Sequence, residues 1–177
     1  MNTFDRERAK LKDYTELVML LDTKILFPNL SGTKGPMNVN GKKSFHVVIK
    51  DPEQAQVLAN EGWNVKFRPP REEGDIGIYH LEVNVNFDSP SWMRQPIIVA
   101  VEGDTGQKNM LTDDTCGMID HRKILSADVE FRARPWIDGT RRGITAWLTR
   151  MIVTLEANDM DRKFAELEYP AEEAPFH

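Results

Sequence analysis

YHLEVNVNF (79–87) is the stretch whose reading decides the fold. Tyr79, Leu81, Val83, Val85 and Phe87 alternate with His80, Glu82, Asn84 and Asn86. Successive strand residues point to opposite faces, so this period of two specifies a strand with one buried and one wet face. The pattern recurs on both sides. SFHVVIK (44–50) sets Phe45, Val47 and Ile49 against His46 and Lys50. In 63–68, Trp63, Val65 and Phe67 are expected inward, and Asn64, Lys66 and Arg68 outward. Residues 16–27, 96–102, 127–133 and 144–155 bring the expectation to about seven strands.

One short helix interrupts them. Asp51 is its expected N-cap, Pro52 fills the first position and Glu53 the first turn; Ala55, Leu58 and Ala59 form the apolar face, and Gly62 ends it. Residues 29–43 hold Gly, Pro, Lys34, Lys42 and Lys43 and read as a flexible loop. The Arg- and Trp-rich stretch between the last two strands reads as a second loop. With so few helices, βαβ units are excluded, and a barrel or sandwich remains.

Composition narrows the class. At 177 residues, 40% hydrophobic and 29% charged, the chain suits one soluble domain. No apolar run approaches the ~18 residues that span a bilayer. The charged start, MNTFDRERAKLKDY, lacks a signal peptide's apolar segment. These features predict an intracellular protein with no membrane contact. A lone cysteine, Cys116, excludes an internal disulfide and any cysteine-built zinc module.

Charge is divided unevenly. The last 21 residues carry two bases and six acids, so most of the formal net charge of −5 lies there. Upstream, bases sit beside aromatics in Arg132-Ala-Arg134-Pro-Trp136 and Arg141-Arg142. A near-neutral body with basic-aromatic patches and an acidic tail points to a polyanion partner. The outward alternates include Lys66, Arg68, Arg132, Arg134 and Trp147, the last out of phase with Ile144, Ala146 and Leu148. Cations that track phosphates, beside a flat ring that stacks on any base, are what single-stranded nucleic acid requires. The alternative is that Trp147 packs beneath a loop and the cations are merely solvated. Trp63 and Phe45 fall on inward faces and read as core.

The tail either keeps the chain soluble or occupies the basic groove when DNA is absent. In the latter case Tyr169, Glu172, Glu173 and Phe176 would dock on partner proteins. Asp113, Asp114, Asp120 and His121 can be drawn as a nuclease metal site. TDDTCGMIDH (112–121) reads equally as a helical turn capped by Thr112 or Asp113. His46, His80 and His177 share no ligand spacing. Cys116 has no His-Asp arrangement to activate it, and no phosphate-binding or dinucleotide motif occurs. No cofactor and no metal are expected.

KILFPNLSG (24–32), NGKKSFHVVI (40–49), LANEGWNVKFRP (58–69), LEVNVNF (81–87), DTCGMIDHRKILSADVEFRARPW (114–136) and GITAWLTRMIVTLE (143–156) together resemble the single-stranded DNA-binding proteins of tailed bacteriophages. The likeness is to the group with one OB-type domain and an acidic C-terminal tail. It implies a mainly β, OB-type barrel elaborated by one short helix and long loops. It also implies non-catalytic, sequence-independent binding of single strands in phage replication or recombination, in the cytoplasm of an infected bacterium. Replication or recombination proteins would be further partners, through the tail.

The expected organisation is an arm (1–15), a binding domain (16–156) and an acidic, disordered tail (157–177). The expected nucleic-acid contacts are Lys34, Lys42, Lys43, Lys66, Arg68, Arg132, Arg134, Trp136, Arg141, Arg142 and Trp147. Two rival functions stand beside this one, a virion structural or adaptor protein and a metal-dependent nuclease.

Overall fold

The alternating segments become strands that close on themselves. A computed structural model of the chain describes residues 17–88 and 94–157, together with Met160 and Lys163. The arm and the named tail residues Tyr169, Glu172, Glu173 and Phe176 lie outside the described residues.

Nine strands are found among them: β1 (Leu17–Thr23), β2 (Ile25–Asn29), β3 (Ser44–Ile49), β4 (Val65–Arg68), β5 (Ile78–Asn84), β6 (Ile97–Glu102), β7 (Lys108–Leu111), β8 (Ile124–Asp138) and β9 (Arg141–Leu155). Hydrogen bonding runs β1–β8–β9–β5–β3–β2, and only Lys24 separates β1 from β2. The sheet therefore returns to the strand it started from. Along that path the pairs are antiparallel except β5 with β9, where Val83 faces Ala146 and Asn84 faces Trp147. This is the five-stranded, partly open OB topology. β4 extends the edge of β5, while β6 runs parallel to the second half of β9 and carries β7 outside it.

Closure depends on a bulge. The β1–β8 register shifts between Leu20 and Thr23, where Asp22 takes a left-handed φ of 47°. Asp tolerates that conformation better than most residues. Asp22 N–H donates to Asp128 Oδ1 at 2.7 Å, and Val48 N–H donates to the Lys24 carbonyl at 2.9 Å. One bent segment thus leaves β8 and joins β3.

Inward alternates from all five barrel strands make the core. Phe45, Val47, Val83, Val129, Phe131, Val153 and Leu155 are all fully buried. Burial of each such side chain contributes about 1.5–3 kcal/mol. Trp63 plugs one end, edge-on to Phe131 with centroids 5.3 Å apart. Helix α1 (Pro52–Glu61) seals the same side with Ala55 and Leu58. Its Asp51 side chain accepts from Glu53 N–H, and Gly62 caps it at a φ of 108°.

Several expectations need correction. The Arg/Trp stretch is not a long loop: β8 continues through Arg134, Pro135 and Trp136, and β9 starts at Arg141, leaving a two-residue turn at Gly139 and Thr140. Strand β7 carries no alternation signal and escapes a sequence reading. Phe67 is exposed, because β4 pairs with β5 alone and overhangs the core. Ala59 is exposed as well. The turn at 112–121 is a 3-10 helix (Cys116–His121) with Thr115 at its N-cap position rather than Thr112 or Asp113.

Candidate nucleic-acid interface

The outward faces of β5, β9 and β8 lie side by side, and their register sets the site. Asn84 faces Trp147, Trp147 faces Arg132, Thr145 faces Arg134, and Gly143 faces Trp136. The result is a groove of linked depressions. The first, about 610 Å³, is lined by Lys42, Asn64, Glu82, Asn84, Trp136 and Arg142 among others. It shares Lys42 and Asn84 with a second of about 480 Å³, which adds Lys43, Asn86 and Trp147. Trp147 in turn leads to a third, with Arg94, Arg132 and Arg150.

Two indoles stand in this groove in different ways. Trp136 crosses Gly143 so closely that a Cβ there would lie 2.7 Å from its Cζ2, so only glycine leaves the ring its place. Trp136 is 42% exposed. Trp147 is half-buried, with the Arg134 guanidinium 4.0 Å and that of Arg132 5.6 Å from its ring centroid. Such cation–π contacts are worth about 0.5–1 kcal/mol at exposed sites. Partial burial and then the neighbouring Arg134 charge pull the Arg132 pKa down, although a guanidinium keeps its charge.

Three further cations are held in ion pairs. Lys42 pairs with Glu82 across the first depression. Lys43 pairs with the Asp113 carboxylate and donates to the Asp113 carbonyl at 2.6 Å. Burial opposes the Lys43 charge, but the Asp113 hydrogen bond and the nearby Cys116 and Asp114 hold its pKa above the ordinary value. Arg150 grips the nearly buried Glu130 at 2.6 Å, and this bond lowers the Glu130 pKa against the effect of burial.

Of the eleven expected contacts, the structure brings Lys42, Lys43, Arg132, Arg134, Trp136, Arg142 and Trp147 together. Lys66 and Arg68 continue the outward row of Asn64 along β4, beyond the groove wall. Lys34 stays in the exposed loop, its Cε and Cγ packed over Gly41. Arg141 sits at the hairpin tip, paired with Asp138 at 2.9 Å. Asn84, Asn86, Arg94 and Arg150 also line the groove. Alternation marked the two asparagines as outward, but nothing local marked the two arginines.

The acidic cluster is dispersed. Asp120 accepts from Leu30 N–H at 2.8 Å, Ser31 N–H at 2.9 Å and the Ser31 hydroxyl at 2.7 Å, while Asp113 is held by Lys43. Among the described residues no three acidic, His or Cys side chains form a cluster able to hold a metal. Nor is any helix long and apolar enough to cross a membrane. Cys116 is buried, and burial pushes its thiol pKa up.

Residues 8–175 match the profile of the family described as "Putative phage ssDNA-binding domain". No curated protein matches the sequence. Among solved structures, the C-terminally truncated single-stranded DNA-binding protein of bacteriophage Enc34 is similar at 11% identity and a TM-score of 0.47, covering 80% of this chain and 87% of that one. The same phage's protein in complex with ssDNA gives 12% and 0.46, covering 80% and 88%. The single-stranded DNA-binding protein gp2.5 of bacteriophage T7 gives 14% and 0.42, covering 89% and 97%. These structural likenesses carry no weight beside the profile match.

Proposed function

The chain belongs to the phage single-stranded DNA-binding domain family, and on that premise we propose that it captures unpaired strands in the β5–β9–β8 groove by charge and holds them by stacking. The observation that carries this reading is the placing of two indoles along one cation-lined groove. Trp136 sits opposite Gly143, and Trp147 lies four residues further along β9, roughly 13 Å at ~3.3 Å per residue. Lys42, Lys43, Arg132, Arg134 and Arg142 flank that line.

Cations draw in the backbone first. A phosphate then competes with Glu82 for Lys42, with Asp113 for Lys43, and with the Trp147 ring for Arg134. Once Arg134 moves to a phosphate, the indole face it covered is open to a base. Duplex DNA offers no free base faces, so single strands are preferred. None of these contacts reads a base edge, which makes binding tolerant of sequence.

The protein works without catalysis in this reading, since Asp120 anchors the 30–31 backbone and Asp113 holds Lys43. It acts in the infected bacterium's cytoplasm during replication or recombination. The acidic tail, with Tyr169, Glu172, Glu173 and Phe176, competes for the groove and docks on replication or recombination proteins.

The test is fluorescence anisotropy with a labelled ~30-mer oligo(dT) and the matching duplex at two salt concentrations. Tight, salt-sensitive binding of the single strand alone is expected. Equal affinity for both, or none at low salt, would overturn the proposal.

A further inference from the structure

A second group of rings stands on the same outer surface, outside the groove. Outward side chains of β2, β3 and β5 bring Phe27, His46 and His80 together. Phe27 meets His46 at 5.5 Å and His80 at 6.2 Å, both edge-on, and the two imidazoles are 5.0 Å apart. Phe27 is nevertheless 58% exposed. It adopts a left-handed φ of 52° directly before Pro28. That backbone is strained for a non-glycine residue, and residues held this way concentrate at ligand clamps and active sites. The fold thus holds an aromatic ring out in water at a conformational cost.

Charge surrounds the rings. On β4, Lys66 lies directly opposite His80, with Arg68 two residues on along the same face. The cluster also adjoins the groove: Glu82, part of the groove wall, has Oε2 3.7 Å from His46 Nε2. Asn64, another wall residue, begins the outward row that Lys66 and Arg68 continue. An exposed ring packed on His46 and His80, with Lys66 opposite His80 and Arg68 two residues on, at the edge of a strand-binding groove, has the composition of a stacking platform.

We propose that Phe27, backed by His46 and His80 and flanked by Lys66 and Arg68, is a second base-stacking subsite for single-stranded DNA. The strand then runs from Trp147 over β5 and β3 to β2. This inference rests on the groove being the DNA path. Three strand spacings of ~4.8 Å put the two platforms roughly 15 Å apart across the sheet. Only oligonucleotides longer than the groove reach both.

The test titrates the full chain with labelled oligo(dT) of stepped length, comparing wild type, Phe27→Ala and Trp147→Ala. Phe27→Leu, which keeps apolar bulk but removes the ring, replaces the alanine variant if that fails to fold. Phe27→Ala is expected to match wild type on the shortest oligonucleotides and to bind the longest about 5- to 150-fold more weakly, the range that loss of one stacked base gives. Trp147→Ala is expected to be weaker at every length. A photoreactive 4-thiothymidine oligonucleotide should also cross-link to the peptide containing Phe27. If Phe27→Ala equals wild type at all lengths while Trp147→Ala is weakened, the subsite falls and the groove stands. If both variants equal wild type, the groove reading falls with it.

Discussion

The Nδ1 atoms of His46 and His80 lie 2.9 Å apart on the outer surface of the barrel. One must donate and the other accept, so the pair holds a single Nδ1 proton comfortably. A second would set two cations in contact. Burial first, then His80, Lys66 and Lys42, depress the His46 pKa against the opposing pull of Glu82. Burial, Lys66 and Arg68 depress that of His80. In the unfolded chain both titrate near ~6.5. Below that pH the unfolded state binds more protons, so stability falls as pH drops from ~6.5 towards the lower folded values. Thermal unfolding across pH 7.5 to 5 should show a declining Tm in wild type and a flatter profile in His80→Asn. Parallel profiles would mean that the pair contributes nothing to the pH response.

Trp147 is stacked upon before any DNA arrives, by Arg134 at 4.0 Å. In the proposed mode, binding exchanges a guanidinium for a base rather than filling an empty face. Trp147→Ala should weaken single-strand binding by about 1–3 kcal/mol while leaving a folded barrel, because the ring is only half-buried. Circular dichroism alongside the titration separates the outcomes. Loss of the folded spectrum would identify the indole as a packing residue.

How far the sequence was legible follows from the range of the forces involved. The outward row His80, Glu82, Asn84 and Asn86 was readable because period-two alternation is a local property; Glu82, Asn84 and Asn86 became a groove wall, while His80 is buried against His46 outside the groove. The cap at Asp51 was readable for the same reason. By contrast, Pro135 looks like a strand terminator. It is tolerated because β8 beyond the barrel pairs with β9 and needs no second neighbour for its missing N–H. Arg141 was expected on a long loop, and the two-residue turn instead sets it at a hairpin tip, paired with Asp138 three residues earlier. Phe27 read as the end of an ordinary strand, since nothing local announces its left-handed φ, which falls where the β2–β3 register shifts. Barrel closure at Asp22 likewise depends on Asp128, 106 positions away.

Arg132, Arg134 and Arg142 should set the salt dependence. Each phosphate they neutralise adds about −0.7 to the log–log slope of affinity against salt for a single strand. Replacing all three with Ala should flatten the slope by up to roughly 2 and weaken binding of every sequence alike. An unchanged slope would place the DNA path on another face.

Asp120 is expected to matter for stability and not for chemistry. Its carboxylate takes three hydrogen bonds from Leu30 and Ser31, tying the start of the 30–43 loop to the 3-10 helix. Asp120→Ala strands two backbone N–H donors and should cost about 1–3 kcal/mol in denaturant unfolding. DNA affinity of the folded fraction should change little. Metal-dependent cleavage of labelled strands that disappears in Asp120→Ala would instead revive the nuclease alternative.

Gly143 controls Trp136. A Cβ at that position would stand 2.7 Å from Trp136 Cζ2 and 3.0 Å from Cε2. The indole is the exposed partner of the two, so Gly143→Ala should displace the ring and leave the β8–β9 ladder in place. The expected signs are an intact circular dichroism spectrum, altered tryptophan emission and single-strand affinity close to that of Trp136→Ala. A double-mutant cycle makes the cause explicit. If Gly143→Ala acts only through the ring, the double variant Gly143→Ala/Trp136→Ala binds no more weakly than Trp136→Ala alone. Additive losses would mean that the backbone at Gly143 itself approaches the DNA, and the close packing of Trp136 would then be incidental to binding.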